Sequence, residues 1–169
     1  DEQKEYFENH AAWLCARCED VGKRNGRKLR QRVEQHQEMI HQITARHSIK
    51  SAKKHGSNAF GGLRPVVNAV RGCKMMLNRN VAYRFGLANG TRGELVGVVY
   101  SPAAATGDFP DALVLDCPDY TGPAFYPEEP TWVPILPCTA AKEGTRMTRT
   151  QFPLVAGYAM TVNKAQGLT

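Results

Sequence analysis

Three groups of residues have types and spacings that could do chemistry. Cys15 and Cys18 form a Cys-x-x-Cys pair. Zinc would need two more ligands at matching spacing, and Cys73, Cys117 and Cys138 stand alone. A redox pair of the thioredoxin kind would need a strand just before it, whereas residues 6–14 read as helix. Phe7, Ala11, Leu14, Cys18 and Val21 recur at four-three spacing, which lays one apolar stripe along a helix. Cys18 is therefore expected in the core and Cys15 is incidental. The histidines form the second group. His36 and His41 fall near a helix end, but no His-Glu-x-x-His pattern occurs, so surface or structural roles are favoured. The third group is Thr161-Val162-Asn163-Lys164-Ala165-Gln166-Gly167. Its Thr-x-x-Lys-x-Gln-Gly core follows an apolar run and is uncommon by chance. The plainer reading is a core strand ended by Gly, with a chance Lys.

Charge supplies a broader signal. The 169 residues carry 22 Lys and Arg against 16 Asp and Glu, a net of +6. Residues 21–79 hold 14 of the basic residues and only Glu34 and Glu38 as acids, so that stretch alone is +12. A long run nearly free of acids attracts phosphate backbones, although shorter charge runs are commonly no more than a solvated face. An apolar share of 42% is enough for a core and too high for a disordered chain. No apolar run approaches the length that crosses a membrane as a helix. Five Cys is an odd number, which excludes a complete internal disulfide framework and fits a reducing intracellular compartment. The nucleus is the expected location, with an organelle as the alternative. Both ends look cut, as in part of a longer chain.

These groups need elements to position them. One helix is expected over 2–20, interrupted at Gly22 and Asn25-Gly26. A very basic helix is expected over 27–39, with Leu29, Val33, His36 and Ile40 on one face. A short strand follows over 40–45, then a mobile basic loop over 47–62. From about Val66 the texture turns to β, with strands over 73–77, 94–100, 112–116 and 132–136. Asn89-Gly90 and Gly93 supply turn chemistry, with Arg92 exposed on a tight turn. Most of the ten prolines fall between 102 and 137, as in connections between short strands of sandwiches or barrels. Tyr100, Tyr120, Phe125, Tyr126 and Trp132 could stack on bases, but are expected as core.

Three stretches in this order carry a resemblance. They are Gly72-Cys73-Lys74-Met75-Met76-Leu77-Asn78-Arg79-Asn80, then Gly86-Leu87-Ala88-Asn89-Gly90-Thr91-Arg92-Gly93, then residues 151–169 with the Thr161 to Gly167 core. A weaker match is Ile43-Thr44-Ala45-Arg46-His47-Ser48. Together they resemble the second motor domain of PIF-type DNA helicases of superfamily one, relatives of the RecD helicases. The resemblance implies an α/β fold, a partial RecA-like motor domain with an inserted small β-barrel of the Src-homology type. Residues 1–71 would be the helical, basic part of the motor domain. Residues 72–150 would be the barrel and its approaches, and 151–169 would return to the motor domain.

The resemblance also implies roles. Thr161, Asn163 and Lys164 would contact the phosphates of single-stranded DNA, and Gln166 and Gly167 would lie beside the nucleotide. A hydroxyl and an ammonium suit a phosphate oxygen, and Gly lets a backbone amide come close. The family's usual His and Ser at the flanks of Lys164 are here Asn163 and Ala165; Asn can still donate to phosphate. Arg92 is a further DNA-contact candidate beside its plainer reading as a hairpin residue. The intact parent would use ATP and Mg2+ in 5′-to-3′ unwinding, in DNA repair or recombination. The chain itself has no Gly-x-x-x-x-Gly-Lys-Ser/Thr loop and no acidic pair after an apolar strand, so it is expected to bind neither cofactor alone and to be inactive alone. Its partners would be single-stranded DNA and the remainder of the helicase or a larger assembly. The alternative is a non-enzymatic nucleic-acid-binding or structural subunit derived from a helicase remnant.

Overall fold

Short apolar runs separated by Gly- and Pro-bearing connections recur after residue 66, and the largest sheet forms there. A computed structural model describes residues 12–105 and 107–162. Strands β5 (Lys74–Leu77), β6 (Arg92–Val99), β7 (Ala112–Asp116) and β8 (Trp132–Ile135) run antiparallel in chain order. A later strand, β11 (Leu154–Ala156), closes onto β5 to give the order β11-β5-β6-β7-β8. All four strands expected in this region are present, within two residues at each end. The inward residues Met75, Leu77, Leu95, Leu113, Leu115 and Ile135 are fully buried. Burial of this apolar surface, at about 25 cal/mol per Å², is the main favourable contribution to folding.

Two features explain the shape of that sheet. Gly90 has φ of +103° and donates its N–H to the Leu77 carbonyl at 2.8 Å. It turns the chain into β6, although 14 residues separate β5 from β6 and no tight hairpin forms. Gly93 sits where an added Cβ would lie 2.5 Å from the Asp116 carbonyl oxygen, so only Gly lets β6 approach β7 there. Arg92 is therefore not exposed on a turn. It is the first residue of β6, half-buried opposite Met76.

The other sheets are small. Strands β2 (His41–Thr44) and β4 (Val66–Ala69) pair antiparallel, as do β3 (Arg46–His47), β10 (Thr148–Gln151) and β9 (Cys138–Ala141) in the order β3-β10-β9. The strand expected over 40–45 is β2. Strands β1 (Trp13–Cys15) and β12 (Ala159–Thr161) form a parallel pair.

The helical half differs from expectation. Residues 1–11 lie outside the described residues, and 13–15 are strand β1 rather than helix. One helix, α1 (Cys18–His36), replaces the two expected and runs through Gly22 and Asn25-Gly26 without a break. Each helical Gly costs about 1 kcal/mol relative to Ala, but Asn25 and Leu29 are buried on one face and anchor it. Glu19 and Asp20 in the first turn and His36 in the last complement the helix dipole. Gln37, at φ of +53°, ends the helix. Cys18 is exposed rather than core, because the stripe it was assigned to is cut by β1. His36 is exposed and Ile40 lies beyond the helix.

Residues 47–62 do not form a loose loop. They make two 3-10 turns, Lys50–Lys54 and Ser57–Phe60, and bury Ala52 and Phe60 completely, with buried Leu63 directly after them. The aromatic expectation holds for Tyr120, which is buried, while Tyr100 and Trp132 are half-buried. Phe125 and Tyr126 are 56% and 37% exposed, because they belong to the Pro-rich connection before β8 and not to a strand.

Candidate nucleic-acid interface

The described part of the third motif begins on β12, which ends at Thr161. The register pairs Trp13 with Ala159, Leu14 with Met160 and Cys15 with Thr161. Ala159 and Met160 are buried, Thr161 is half-buried and Val162 is exposed. The chain therefore emerges at the surface as the motif begins. Asn163, Lys164, Gln166 and Gly167 lie outside the described residues.

Two neighbouring side chains of α1 fix this ribbon. Asn25 is buried, and its amide nitrogen donates to the carbonyls of Ala156 at 3.0 Å and Ala159 at 3.2 Å. Its amide oxygen accepts the Ala159 N–H at 2.8 Å. Arg24 lays its guanidinium 3.4 Å from the centre of the Trp13 ring. One helix turn thus grips both strands, Asn25 holding β12 and Arg24 holding β1. The outer face of the same helix carries exposed Lys23, Arg27 and Arg30. Lys23 pairs with Glu19 at 2.7 Å, but at this exposure the pair contributes little to stability. A hydroxyl at a strand end can donate to a phosphate oxygen, and the exposed cations on the outer face of α1 make a separate basic surface.

Arg92 stands elsewhere. Thr161 belongs to the two-stranded sheet and Arg92 to the five-stranded one. Arg92 neighbours Lys74, which faces Glu94 across the strands. Burial first, then the positive charge of Arg92, pulls the Lys74 ammonium below its ordinary value, and Glu94 pulls it back.

Three positioning residues were not legible as such. Asn25 reads as a helix breaker in sequence. Arg149 and Gln151 are buried side chains of β10. Gln151 donates to the Ile43 carbonyl at 2.9 Å and accepts the Phe152 N–H at 2.9 Å, tying β10 to β2. Arg149 holds the 46–63 segment. The two-residue alternation of Arg149 and Gln151 was the available signal, since it puts both on one face of a strand. Among the described residues, no group of three or more His, Cys, Asp or Glu is placed to hold a metal. Cys15 is half-buried on β1.

No protein-family model and no curated protein matches the chain. Solved structures do match. The Pif1 helicase from Candida albicans is 22% identical, with a TM-score of 0.68 over 94% of this chain and 36% of that one. Bacteroides Pif1 bound to ssDNA is 19% identical, with a TM-score of 0.62 over 95% of this chain and 33% of that one. Bacteroides sp Pif1 in complex with ADP-AlF4 is 18% identical, with a TM-score of 0.62 over 98% and 34%. The chain spans about a third of the length of these helicases. It has the α/β, helicase-like fold of that third of Pif1 helicases.

Proposed function

We propose that the chain is part of an ATP-dependent 5′-to-3′ DNA helicase and supplies single-strand contact and one wall of the ATP cleft. The observation that carries this reading is the shared fold with Pif1 helicases, one of them solved with ssDNA and another with ADP-AlF4. It is supported by the Asn25 grip on β12, which delivers Thr161 to the surface beside a basic helix. Thr161, Asn163 and Lys164 bind backbone phosphate, with Arg92 as a separate contact on β6. Gln166 and Gly167 face the nucleotide. Residues 72–150 serve as an inserted barrel of the Src-homology type on a RecA-like motor domain.

The chain has no P-loop, so the triphosphate and Mg2+ contacts come from the rest of the parent protein. When bound there, ATP would supply the free energy for closure of the two motor domains. This chain's own residues bind and orient the strand. Salt-dependent binding of single-stranded DNA by the chain tests the contact. Linking it to the remaining parent sequence and measuring DNA-stimulated ATP hydrolysis tests the enzymatic part. Binding without any such hydrolysis favours the non-enzymatic nucleic-acid-binding subunit instead.

A further inference from the structure

Residues 46–48 are held to β10 by the β3 ladder and by Ser48, which exchanges hydrogen bonds with Thr148, and the 49–63 segment that follows meets β10 through Arg149. Arg149 is fully buried. Its Nε–H donates to Nε2 of His47 at 3.0 Å, and its two Nη groups donate to the carbonyls of Leu63 at 2.9 Å and His55 at 2.8 Å. The guanidinium carbon lies 4.3 Å from the centre of the Phe60 ring. The rings of His47 and His55 meet the same phenyl edge-on. All three acceptors are neutral, so the buried cation is satisfied by hydrogen bonds and not by a carboxylate.

The three contacts differ in one respect. A backbone carbonyl accepts a hydrogen bond at any pH in this range. An imidazole nitrogen accepts only when it carries no proton. The Arg149 bond therefore requires neutral His47 with its proton on Nδ1. That nitrogen is buried against the Ala45 backbone without a well-formed hydrogen bond. The charges acting on His47 are Arg149 from β10 and Lys53 from the first 3-10 turn, both positive. The other titratable ring on this Phe60 cluster is His55.

We propose that His47 and Arg149 form a proton-operated latch, in which protonation of His47 displaces the Arg149 guanidinium and unfastens the basic 49–63 segment while the β3–β10 ladder stays paired. The direction follows from the surroundings. Burial first, then Arg149 and Lys53, hold the imidazole below its ordinary value of 6.5, while the Ala45 backbone pulls the other way. The released form binds the proton more readily than the fastened one. The latch is thus at full strength above the ordinary imidazole value and weakens as pH falls below it, until the depressed value is passed. Release uncovers Phe60 and Leu63 and turns a packed segment bearing Lys50, Lys53 and Lys54 into a free basic arm.

Hydrogen exchange read by nuclear magnetic resonance tests this on the chain between about pH 8 and pH 5. After correction for intrinsic rates, opening at the Gly62 and Leu63 amides is expected to rise by up to about tenfold for each pH unit below the ordinary imidazole value. The Leu95 amide on β6 stays protected. His47→Gln keeps an acceptor for Arg149 without a titrating nitrogen, so its acid response is expected to vanish, and His55→Gln is expected to retain it. An acid response that persists in His47→Gln overturns the latch. Direct titration of the ring nitrogens in the unmutated chain is a second test, because a His47 value at or above 6.5 contradicts the geometry whether or not the variant folds.

Discussion

Asn25 both donates to the Ala159 carbonyl, at 3.2 Å, and accepts the Ala159 N–H, at 2.8 Å. A carboxamide can do both at once with a donor to spare, and its third bond reaches the Ala156 carbonyl at 3.0 Å. The residue replaces the strand partner that β12 has on only one side among the described strands.

Asn25→Leu leaves two carbonyls and one N–H unsatisfied in a buried place. It is expected to cost about 2–4 kcal/mol, read as a lowered urea midpoint. Asn25→Asp turns an acceptor oxygen toward both carbonyls in a buried site, so it is expected to cost at least as much as Asn25→Leu near neutral pH. A midpoint unchanged in Asn25→Leu would show that water replaces the side chain.

Arg149→Lys is expected to destabilise nearly as much as Arg149→Leu, each by about 3–5 kcal/mol. An ammonium cannot reach His47, Leu63 and His55 together as the planar fork does. Thermal unfolding of the two variants checks this, and full stability in the Lys variant would contradict it.

Gly93→Ala puts a methyl 2.5 Å from the Asp116 carbonyl oxygen and 2.9 Å from the Cys117 sulfur. Backbone must move to admit it, at a cost of about 1–3 kcal/mol. The same change at Gly22, in open space on α1, should instead stabilise by a few tenths to about 1 kcal/mol. Opposite signs for the two Gly→Ala changes, measured by denaturant unfolding, are the expected outcome.

The cysteines separate by burial. Burial pushes the Cys73 thiol up to about 11, and burial with the nearby Asp116 and Asp119 pushes Cys117 up to about 12. Both stay protonated and unreactive near neutral pH. Mass spectrometry after brief iodoacetamide treatment should find Cys18 modified, and Cys73 and Cys117 untouched until denaturant is added.

The β half was legible because strand partners there are near in sequence and the strands are short apolar runs, as in Ala112–Asp116 and Trp132–Ile135. The helical half was less so. Trp13–Cys15 becomes strand only because Ala159–Thr161, far along the chain, lies beside it. No local periodicity reports such a pairing. Asn25-Gly26 has breaker composition, yet tertiary hydrogen bonds keep it helical. His, Ser, Lys and Gly made 47–62 look like loop, and the buried Arg149 that organises it comes from about a hundred residues later. Of the candidate site, Thr161 and Arg92 fall on strands, and the two lie in different sheets.

The proposed grip of the Thr161 to Lys164 segment on the phosphates of a single strand is tested most directly by titrating the chain with fluorescent oligothymidine over a range of salt and comparing Lys164→Ala. The expected result is a log-log plot of affinity against salt with negative slope, made shallower in the variant by about 0.7, the value for one lost phosphate contact on a single strand. Absence of binding at low salt, or an unchanged slope in Lys164→Ala, would contradict it.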